Sequence, residues 1–140
     1  MIALNDIWLS YPGATQASVC GVSLEIAAGE FFTLLGPSGC GKTSTLRSIA
    51  GLETPSKGRI AIGAQCVYEQ QAGINVPTHS RDIAMVFQSY AIWPHMTVFD
   101  NVAYPLSVRR VAKAEIRDRV AAALRLVEMD RFADRPAPAL

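Results

Sequence analysis

The chain has 140 residues, half of them hydrophobic and 18% charged, and its 13 basic and 12 acidic side chains give a net charge of +1. This length suits one globular domain, and the near balance of charge gives no electrostatic reason to expect nucleic acid as a partner. The sequence shows neither a basic leader nor an apolar run long enough to span a bilayer, so we expect a cytosolic protein or one that docks on a membrane through another subunit.

The N-terminal part of the chain predicts short strands. Met1–Tyr11 and Val19–Glu30 alternate apolar and polar residues, which is the pattern of two half-buried strands joined by a turn. Gly58–Gly63 predicts a third short strand. The polar segment Gln65–Arg81 contains glycine and proline without a clear period, and it predicts an exposed loop.

A glycine-rich loop lies between a predicted strand and a predicted helix. The short apolar segment Glu30–Leu35 predicts a buried strand, and a helix is predicted from Lys42 to a stop at Gly51. The apolar face of that helix is formed by Leu46, Ile49 and Ala50. This order of strand, loop and helix is the context in which a glycine-rich loop binds phosphate.

The loop fits the motif G-x-x-x-x-G-K-[ST] at Gly36, Gly41, Lys42 and Thr43. Glycines let the backbone wrap closely around phosphate, and the free N–H groups and positive dipole at a helix start attract negative charge. Lys42 would neutralise the β- and γ-phosphates, and Thr43 would place its hydroxyl on Mg²⁺. The competing interpretation is a glycine-rich turn with a surface lysine. The predicted nucleotide-binding residues of this segment are Gly36, Pro37, Ser38, Gly39, Cys40, Gly41, Lys42, Thr43 and Ser44.

The three cysteines do not indicate a metal site. Cys20, Cys40 and Cys66 show no C-x-x-C spacing, although Cys40 lies inside the glycine-rich loop. We interpret them as small, partly buried residues of a protein in a reducing compartment.

The C-terminal part predicts one strand and two helices. Asp82–Gln88 is apolar enough for a buried strand. Thr97 and Asp100 form a capping pair, so a helix should begin at Thr97 and end near Pro105. Lys113–Met129 is the clearest helix. Its apolar stripe consists of Ile116, Val120, Leu124 and Val127.

Several motifs, in this order and spacing, resemble the ATP-binding subunits of ABC transporters, in particular the bacterial importers of polyamines, ferric iron and sugars. They are "SYPG", "GPSGCGKTSTLRSIAGLE", "GRIAIG", "RDIAMVFQSYAIWPHMTVFDNVAYPL" and "RPAPAL". The resemblance implies an α/β fold of the P-loop NTPase class, ABC ATPase type, incomplete, with an N-terminal antiparallel β part and the start of a helical subdomain. It also implies a single nucleotide-binding domain, with residues 1–88 forming the core that carries the phosphate loop and 89–140 the glutamine loop and helical subdomain.

The resemblance assigns roles to residues outside the glycine-rich loop. Tyr11 matches the aromatic residue that stacks on adenine. On its own it would be interpreted as a tyrosine in a turn beside Pro12, and the phosphate loop downstream favours the stacking role. Gln88 matches the glutamine that touches Mg²⁺ and the attacking water, so Lys42 and Gln88 are the predicted catalytic residues and Thr43 and Gln88 the predicted Mg²⁺ ligands. Trp93–Met96 lies where such subunits contact the permease, and the alternative is packing within the helical subdomain. His95 has no partner nearby in sequence that would make it a metal ligand or a base.

The implied cofactors are ATP and Mg²⁺. The implied partners are the transmembrane permease subunits, a second copy of the ATPase in a homodimer and, indirectly, a periplasmic solute-binding protein. Such a subunit lies on the cytoplasmic face of the inner membrane. The transported solute cannot be read from this chain, since specificity lies in the permease and its binding protein.

The family continues beyond a segment like Arg135–Leu140 with a Leu-Ser-Gly-Gly-Gln signature, a metal-binding aspartate, a water-activating glutamate and a sensor histidine. We therefore expect the chain to be the N-terminal half of an importer ATPase that couples ATP hydrolysis to solute uptake. The alternative is a truncated nucleotide-binding module without ATP turnover. A fragment that binds only the permease has little support beside an intact phosphate loop.

Overall fold

The computed structural model describes residues 1–88 and 91–139, which fold as two compact units, Met1–Met85 and Val86–Leu140. The first unit contains a β-sheet and one α-helix, and the second contains two α-helices and two short 3₁₀ turns. Ser89, Tyr90 and Leu140 lie outside the described residues, and with them the predicted boundary at residue 89. That residues 1–88 and 89–140 form parts of one nucleotide-binding domain stays a prediction.

The sheet of the first unit has five antiparallel strands in the spatial order β2-β1-β3-β4-β5. The strands are β1 Ile2–Leu9, β2 Val19–Ile26, β3 Lys57–Ile62, β4 Gln65–Glu69 and β5 Ile74–Asn75. The three strands predicted for the N-terminal part are confirmed as β1, β2 and β3. Leu4 of β1 lies opposite Leu24 of β2 on one side and Ile60 of β3 on the other, so β1 is paired along both edges.

The prediction of an exposed loop over Gln65–Arg81 is wrong. The segment forms β4, β5 and a 3₁₀ turn at Thr78–Ser80, and it ends at Arg81, which is only 2% exposed. Val67 and Tyr68 of β4 are buried. The ladder with β3 stabilises this short strand, and such pairing leaves no periodic signal in the strand's own sequence.

Helix α1, Lys42–Ala50, confirms the predicted helix and its stop at Gly51. Its buried face differs from the prediction, because Leu46 is 48% exposed while Thr45 and Ser48 are buried. Their hydroxyls donate to the carbonyls of Gly41 and Ser44, at 2.9 and 2.8 Å. A hydroxyl bonded to the preceding turn can be buried without loss, so small polar residues lie where a leucine was expected.

The core of the first unit lies between the sheet and α1. Its buried members are Leu4, Ile7, Leu9, Val19, Ile49, Ile60, Val67 and Tyr68. All but one come from strands, and Ile49 is the contribution of the helix. The helix is therefore fixed to the sheet by its last turns, which leaves its first turn to carry the glycine-rich loop.

Two predicted strands are absent from the described structure. Glu30–Leu35 and Asp82–Gln88 have no regular secondary structure. Their apolar side chains are largely open to solvent, with Phe31 96%, Leu35 90% and Val86 96% exposed. An apolar run becomes a strand only where a second strand supplies hydrogen-bond partners, and no strand within residues 1–88 and 91–139 pairs with either segment.

Helix α2, Val98–Val108, begins as predicted, because the Thr97 hydroxyl accepts a hydrogen bond from the Asp100 amide at 3.0 Å. It does not end near Pro105. Proline removes only its own N–H donor, and the Arg109 amide continues the ladder by donating to the Pro105 carbonyl at 3.2 Å.

Helix α3, Lys113–Leu126, buries the predicted stripe except for one residue. Its buried members are Ile116, Val120 and Leu124. The helix ends before Met129, since Glu128 adopts a positive φ of 57° and the Met129 amide returns to the Leu124 carbonyl at 2.8 Å. Val127 consequently leaves the stripe and is 62% exposed. None of the helices in the described part of the chain is both long and apolar enough to cross a membrane.

Candidate nucleotide-binding site

The glycine-rich loop leads directly into the first turn of α1. Gly39 and Gly41 have φ values of +81° and +90°, a region that favours glycine. A Cβ at Gly41 would also collide with the carbonyl oxygen of Ser18 at the start of β2. No side chain in residues 1–88 or 91–139 caps the start of α1, which leaves its first amides available to an anion.

Lys42 is folded over its own loop. Its Nζ donates to the carbonyl oxygens of Gly36 and Pro37, both at 2.7 Å, and to the Cys40 Sγ at 3.3 Å. The ammonium is therefore held at the loop by backbone acceptors while the loop residues themselves are exposed. These residues are Gly36, Pro37, Ser38, Gly39 and Cys40. A fixed cation beside an uncapped helix start is an arrangement that attracts phosphate.

The residues that follow Lys42 offer hydroxyl groups. Thr43 is exposed, and its hydroxyl oxygen is of the type that Mg²⁺ takes as a ligand, so this residue fits the predicted role. Ser44 is half-buried, and its hydroxyl is engaged by Tyr11. No cluster of three or more His, Cys, Asp or Glu side chains that could hold a metal occurs in the described ranges.

Tyr11 is anchored beside the loop, although it precedes Lys42 by 31 residues. Its hydroxyl lies 3.2 Å from the Ser44 hydroxyl and donates to the Glu53 carboxylate at 3.2 Å. Glu53 also pairs with Arg47 at 3.6 Å. The residue is 38% exposed, so part of its surface stays accessible while its hydroxyl is fixed. Stacking of this ring on adenine stays a prediction, and the sequence carried no sign of the contact to Glu53.

Gln88 belongs to the second unit, where its side chain is exposed at the end of an irregular segment. The structure thus gathers the predicted loop residues and Tyr11 within the first unit. The contact of Gln88 with Mg²⁺ and water stays a prediction.

Arg81 is a buried cation that sequence reasoning missed. It lies at the C-terminal end of α1, and its side chain is directed into the last turn of that helix. The acceptors of its guanidinium are the carbonyls of Ser48 at 2.8 Å, Ile49 at 2.9 Å and Val76 at 2.8 Å, and the Asn75 Oδ1 at 3.0 Å. Burial lowers the pKa of Arg81, whose charge is balanced here by carbonyl dipoles. A Cβ at Gly51 would lie 2.6 Å from the Arg81 Nε, so glycine is needed for this approach.

Trp93 lies in the second unit and is 48% exposed. Its ring packs against Tyr104 of α2, with 5.6 Å between the ring centroids, and edge-on to His95 at 6.2 Å. Packing within the helical unit therefore accounts for half of the Trp93 surface and leaves the other half open. Contact of Trp93–Met96 with a permease stays a prediction.

The glycine-rich loop, its internal lysine and the uncapped helix start are the features of a P-loop NTPase, and phosphate binding by these residues stays a prediction. The family described as ABC transporter matches residues 19–139, and the chain belongs to this family.

Similar proteins carry names from solute import. The chain is 52% identical over 134 residues to the trehalose/maltose import ATP-binding protein MalK of Thermococcus litoralis, covering 96% of this chain and 36% of that protein. It is 49% identical over 134 residues to the sn-glycerol-3-phosphate import ATP-binding protein UgpC of Brucella abortus, with the same coverage. It is 53% identical over 118 residues to the spermidine/putrescine import ATP-binding protein PotA of Nitrosomonas eutropha, covering 84% and 31%. The chain thus spans about a third of the length of these relatives.

Solved ATP-binding cassettes share the fold. A dimeric cassette in a post-hydrolysis state, bound to ADP and Pi, superposes with a TM-score of 0.80 at 25% identity and covers 100% of this chain and 63% of that one. This likeness confirms the predicted fold class, an α/β P-loop NTPase of the ABC ATPase type.

Proposed function

We propose that this chain is the nucleotide-binding part of an ABC importer and that ATP binds over the glycine-rich loop at the start of α1. The observation that carries the proposal is the Lys42 Nζ, held 2.7 Å from two loop carbonyls beside an uncapped helix start. The names of the relatives, all import ATP-binding proteins, support import as the process that the nucleotide drives.

The residues of the site divide the recognition of ATP between them. Lys42 and the amides of the loop bind the phosphates, and the half-open ring of Tyr11 stacks on adenine, a contact that contributes roughly 1–3 kcal/mol. Thr43 and Gln88 would hold Mg²⁺, which neutralises charge on the β- and γ-phosphates when it is bound.

Hydrolysis coupled to uptake is proposed for the whole protein, of the length that the relatives have. For residues 1–140 alone we propose nucleotide binding without turnover. Glu53, the carboxylate that the structure places beside Tyr11, is already engaged by the Tyr11 hydroxyl and by Arg47, so it is poorly placed to activate water.

The proposed partners are the permease, reached through Trp93–Met96, and a second copy of the subunit on the cytoplasmic face of the inner membrane. The half-open Trp93 and its aromatic neighbours give the surface the composition of an interface. A homodimer is supported by the description of the similar cassette as dimeric, and a periplasmic solute-binding protein would act through the permease.

Replacement of Lys42 tests nucleotide binding. Lys42→Ala should weaken binding of a fluorescent ATP analogue about 10- to 100-fold, because a charge-assisted hydrogen bond to phosphate contributes about 1.5–3 kcal/mol. Lys57→Ala is the matched control, since Lys57 carries the same charge on β3 and its Nζ lies over the Trp8 ring, 5.5 Å from the centroid. Affinity for the analogue should be unchanged in this control.

Equal affinities of the Lys42→Ala and Lys57→Ala variants would exclude the loop as the phosphate site. A Tyr11→Ala arm separates base from phosphate, because loss of stacking should weaken ATP while tripolyphosphate binding is kept.

A further inference from the structure

The side chain of Asn101, in the first turn of α2, is bound to the backbone of the segment Trp93–Thr97. Its Oδ1 accepts from the Trp93 amide at 2.7 Å, and its Nδ2 donates to the Trp93 carbonyl at 3.1 Å. The same Nδ2 donates to the carbonyls of Thr97 at 2.9 Å and Met96 at 3.5 Å. One side chain therefore holds both backbone polar groups of Trp93, and only the amide orientation present here satisfies all of these bonds.

The segment held by Asn101 is a closed turn. The Met96 amide donates to the Trp93 carbonyl at 3.1 Å, and the Asn101 amide donates to the Thr97 carbonyl at 3.0 Å. The Met96 carbonyl accepts from the Ala137 amide at 3.1 Å. Backbone hydrogen bonds on both sides thus fix the base of the turn, and Asn101 joins that base to Trp93.

The ring of Trp93 is held by the same face of α2. Tyr104 lies three residues after Asn101, a spacing that places two side chains on one helix face. The Tyr104 ring lies 5.6 Å from the Trp93 ring, while Asn101 holds the Trp93 backbone. Both parts of Trp93 are thereby fixed with nearly half of its surface open.

We propose that Asn101 is a positioning residue that presents Trp93 in one fixed arrangement to the permease. The inference rests on the proposed function, in which Trp93–Met96 contacts that partner. An aromatic anchor that is already ordered binds more tightly, because less side-chain and loop entropy is lost on association. Asn101 acts on this contact through its hydrogen bonds to the Trp93 backbone.

The first measurement tests the positioning alone. In Asn101→Ala, hydrogen exchange of the Trp93 amide in the full polypeptide should become about tenfold faster, since its acceptor is gone. Asn101→Asp keeps the acceptor for the Trp93 amide and loses only the donor to the carbonyls of Trp93, Met96 and Thr97, so Trp93 exchange should change less than in Asn101→Ala. Ser107→Ala is the matched control, since it removes a side-chain bond to the Ala103 carbonyl at the other end of α2. Its Trp93 exchange should be unchanged.

The second measurement uses the assembled transporter and a double-mutant cycle. Asn101→Ala and Trp93→Ala should each reduce the stimulation of ATP hydrolysis by permease and solute several-fold, and the double variant should show no further loss. Non-additivity distinguishes an effect through Trp93 from general destabilisation of the helical unit.

The outcomes separate the two proposals. Unchanged Trp93 exchange in Asn101→Ala, or losses that add in the double variant, would overturn the positioning role while the permease contact stands. A silent Trp93→Ala variant would overturn the permease contact and this inference together, and nucleotide binding at Lys42 would be unaffected.

Discussion

Tyr68 is a buried phenol in the core of the first unit, only 3% exposed, and its hydroxyl donates to the Pro55 carbonyl. Desolvation raises the pKa of Tyr68 above its ordinary value of 10.0. The folded state therefore keeps this proton at a pH at which the unfolded chain has begun to release it.

The sign of the pH dependence follows from the raised pKa of Tyr68. Its contribution to stability is fully present below the unfolded value of 10.0 and is lost as the pH rises through the folded value. Between about pH 9 and 11 the wild-type free energy of unfolding should fall by up to roughly 1.4 kcal/mol per pH unit more than that of Tyr68→Phe. Urea titrations across this range measure both slopes. Parallel slopes would assign the alkaline loss to other groups.

Helix α1 is anchored at its C-terminal end by two different devices. Gly51 closes the helix with its amide on the carbonyls of Arg47 and Ser48, and the Arg81 guanidinium takes the carbonyls of Ser48 and Ile49. A cation at this end also complements the helix dipole. Helix α1 is thus fixed at its C-terminal end, and its first turn, at the opposite end, carries the phosphate loop.

Loss of the Arg81 guanidinium should destabilise the first unit strongly. Arg81→Met keeps much of the side-chain volume and leaves buried carbonyls without donors, each at a cost of about 1–3 kcal/mol. We expect a loss of roughly 3 kcal/mol or more in the free energy of unfolding by urea. Arg59→Met is the control, because it removes only an exposed pair with Glu69 at 3.5 Å and should change stability by less than about 1 kcal/mol. Equal losses in the two variants would contradict a capping role of Arg81.

Elements determined by local sequence could be predicted. Alternation identified β1 and β2, and the short segment Gly58–Gly63 identified β3. The Thr97 and Asp100 pair identified the start of α2, and the motif around Lys42 identified the loop and its helix. In each case the signal lies within a few residues of sequence or in the apolar and polar faces of a single element.

Elements and contacts determined by distant partners could not be predicted. Arg81 is buried because its acceptors lie 32 and 33 residues earlier, and Tyr11 is fixed by Ser44 and Glu53, which follow it by 33 and 42 residues. The segment Glu30–Leu35 shows the converse, since its composition is that of a strand while its neighbours in the described structure supply no ladder.

At the scale of the whole molecule, the apolar segment Glu30–Leu35 is exposed on the surface. Phe31 and Leu35 are 96% and 90% exposed, and Phe32 between them is 40% exposed. Exposed apolar side chains on a segment without ladder partners favour association with another chain.

We expect residues 1–140 to self-associate through this segment. Leu35→Ser should lower the weight-average mass measured by sedimentation over a range of concentrations. Leu126→Ser is the matched control, because Leu126 is 86% exposed but lies on a helix whose backbone is already paired. A mass that is the same for both variants would place the contact elsewhere.

The strand order also determines when each strand can pair during synthesis. β1 can pair with β2 as soon as residue 26 exists, but its other edge waits for β3, which ends at Ile62. At about 5–20 residues per second, synthesis of the 36 residues from the end of β2 at Ile26 to the end of β3 at Ile62 takes roughly 2 to 7 seconds. During this interval the nascent β1–β2 pair has an open edge and carries Leu4, Ile7 and Leu9 without the rest of their core. In the nascent chain, β1 is therefore open to association with other chains until β3 has been made, although it is paired on both edges in the folded sheet.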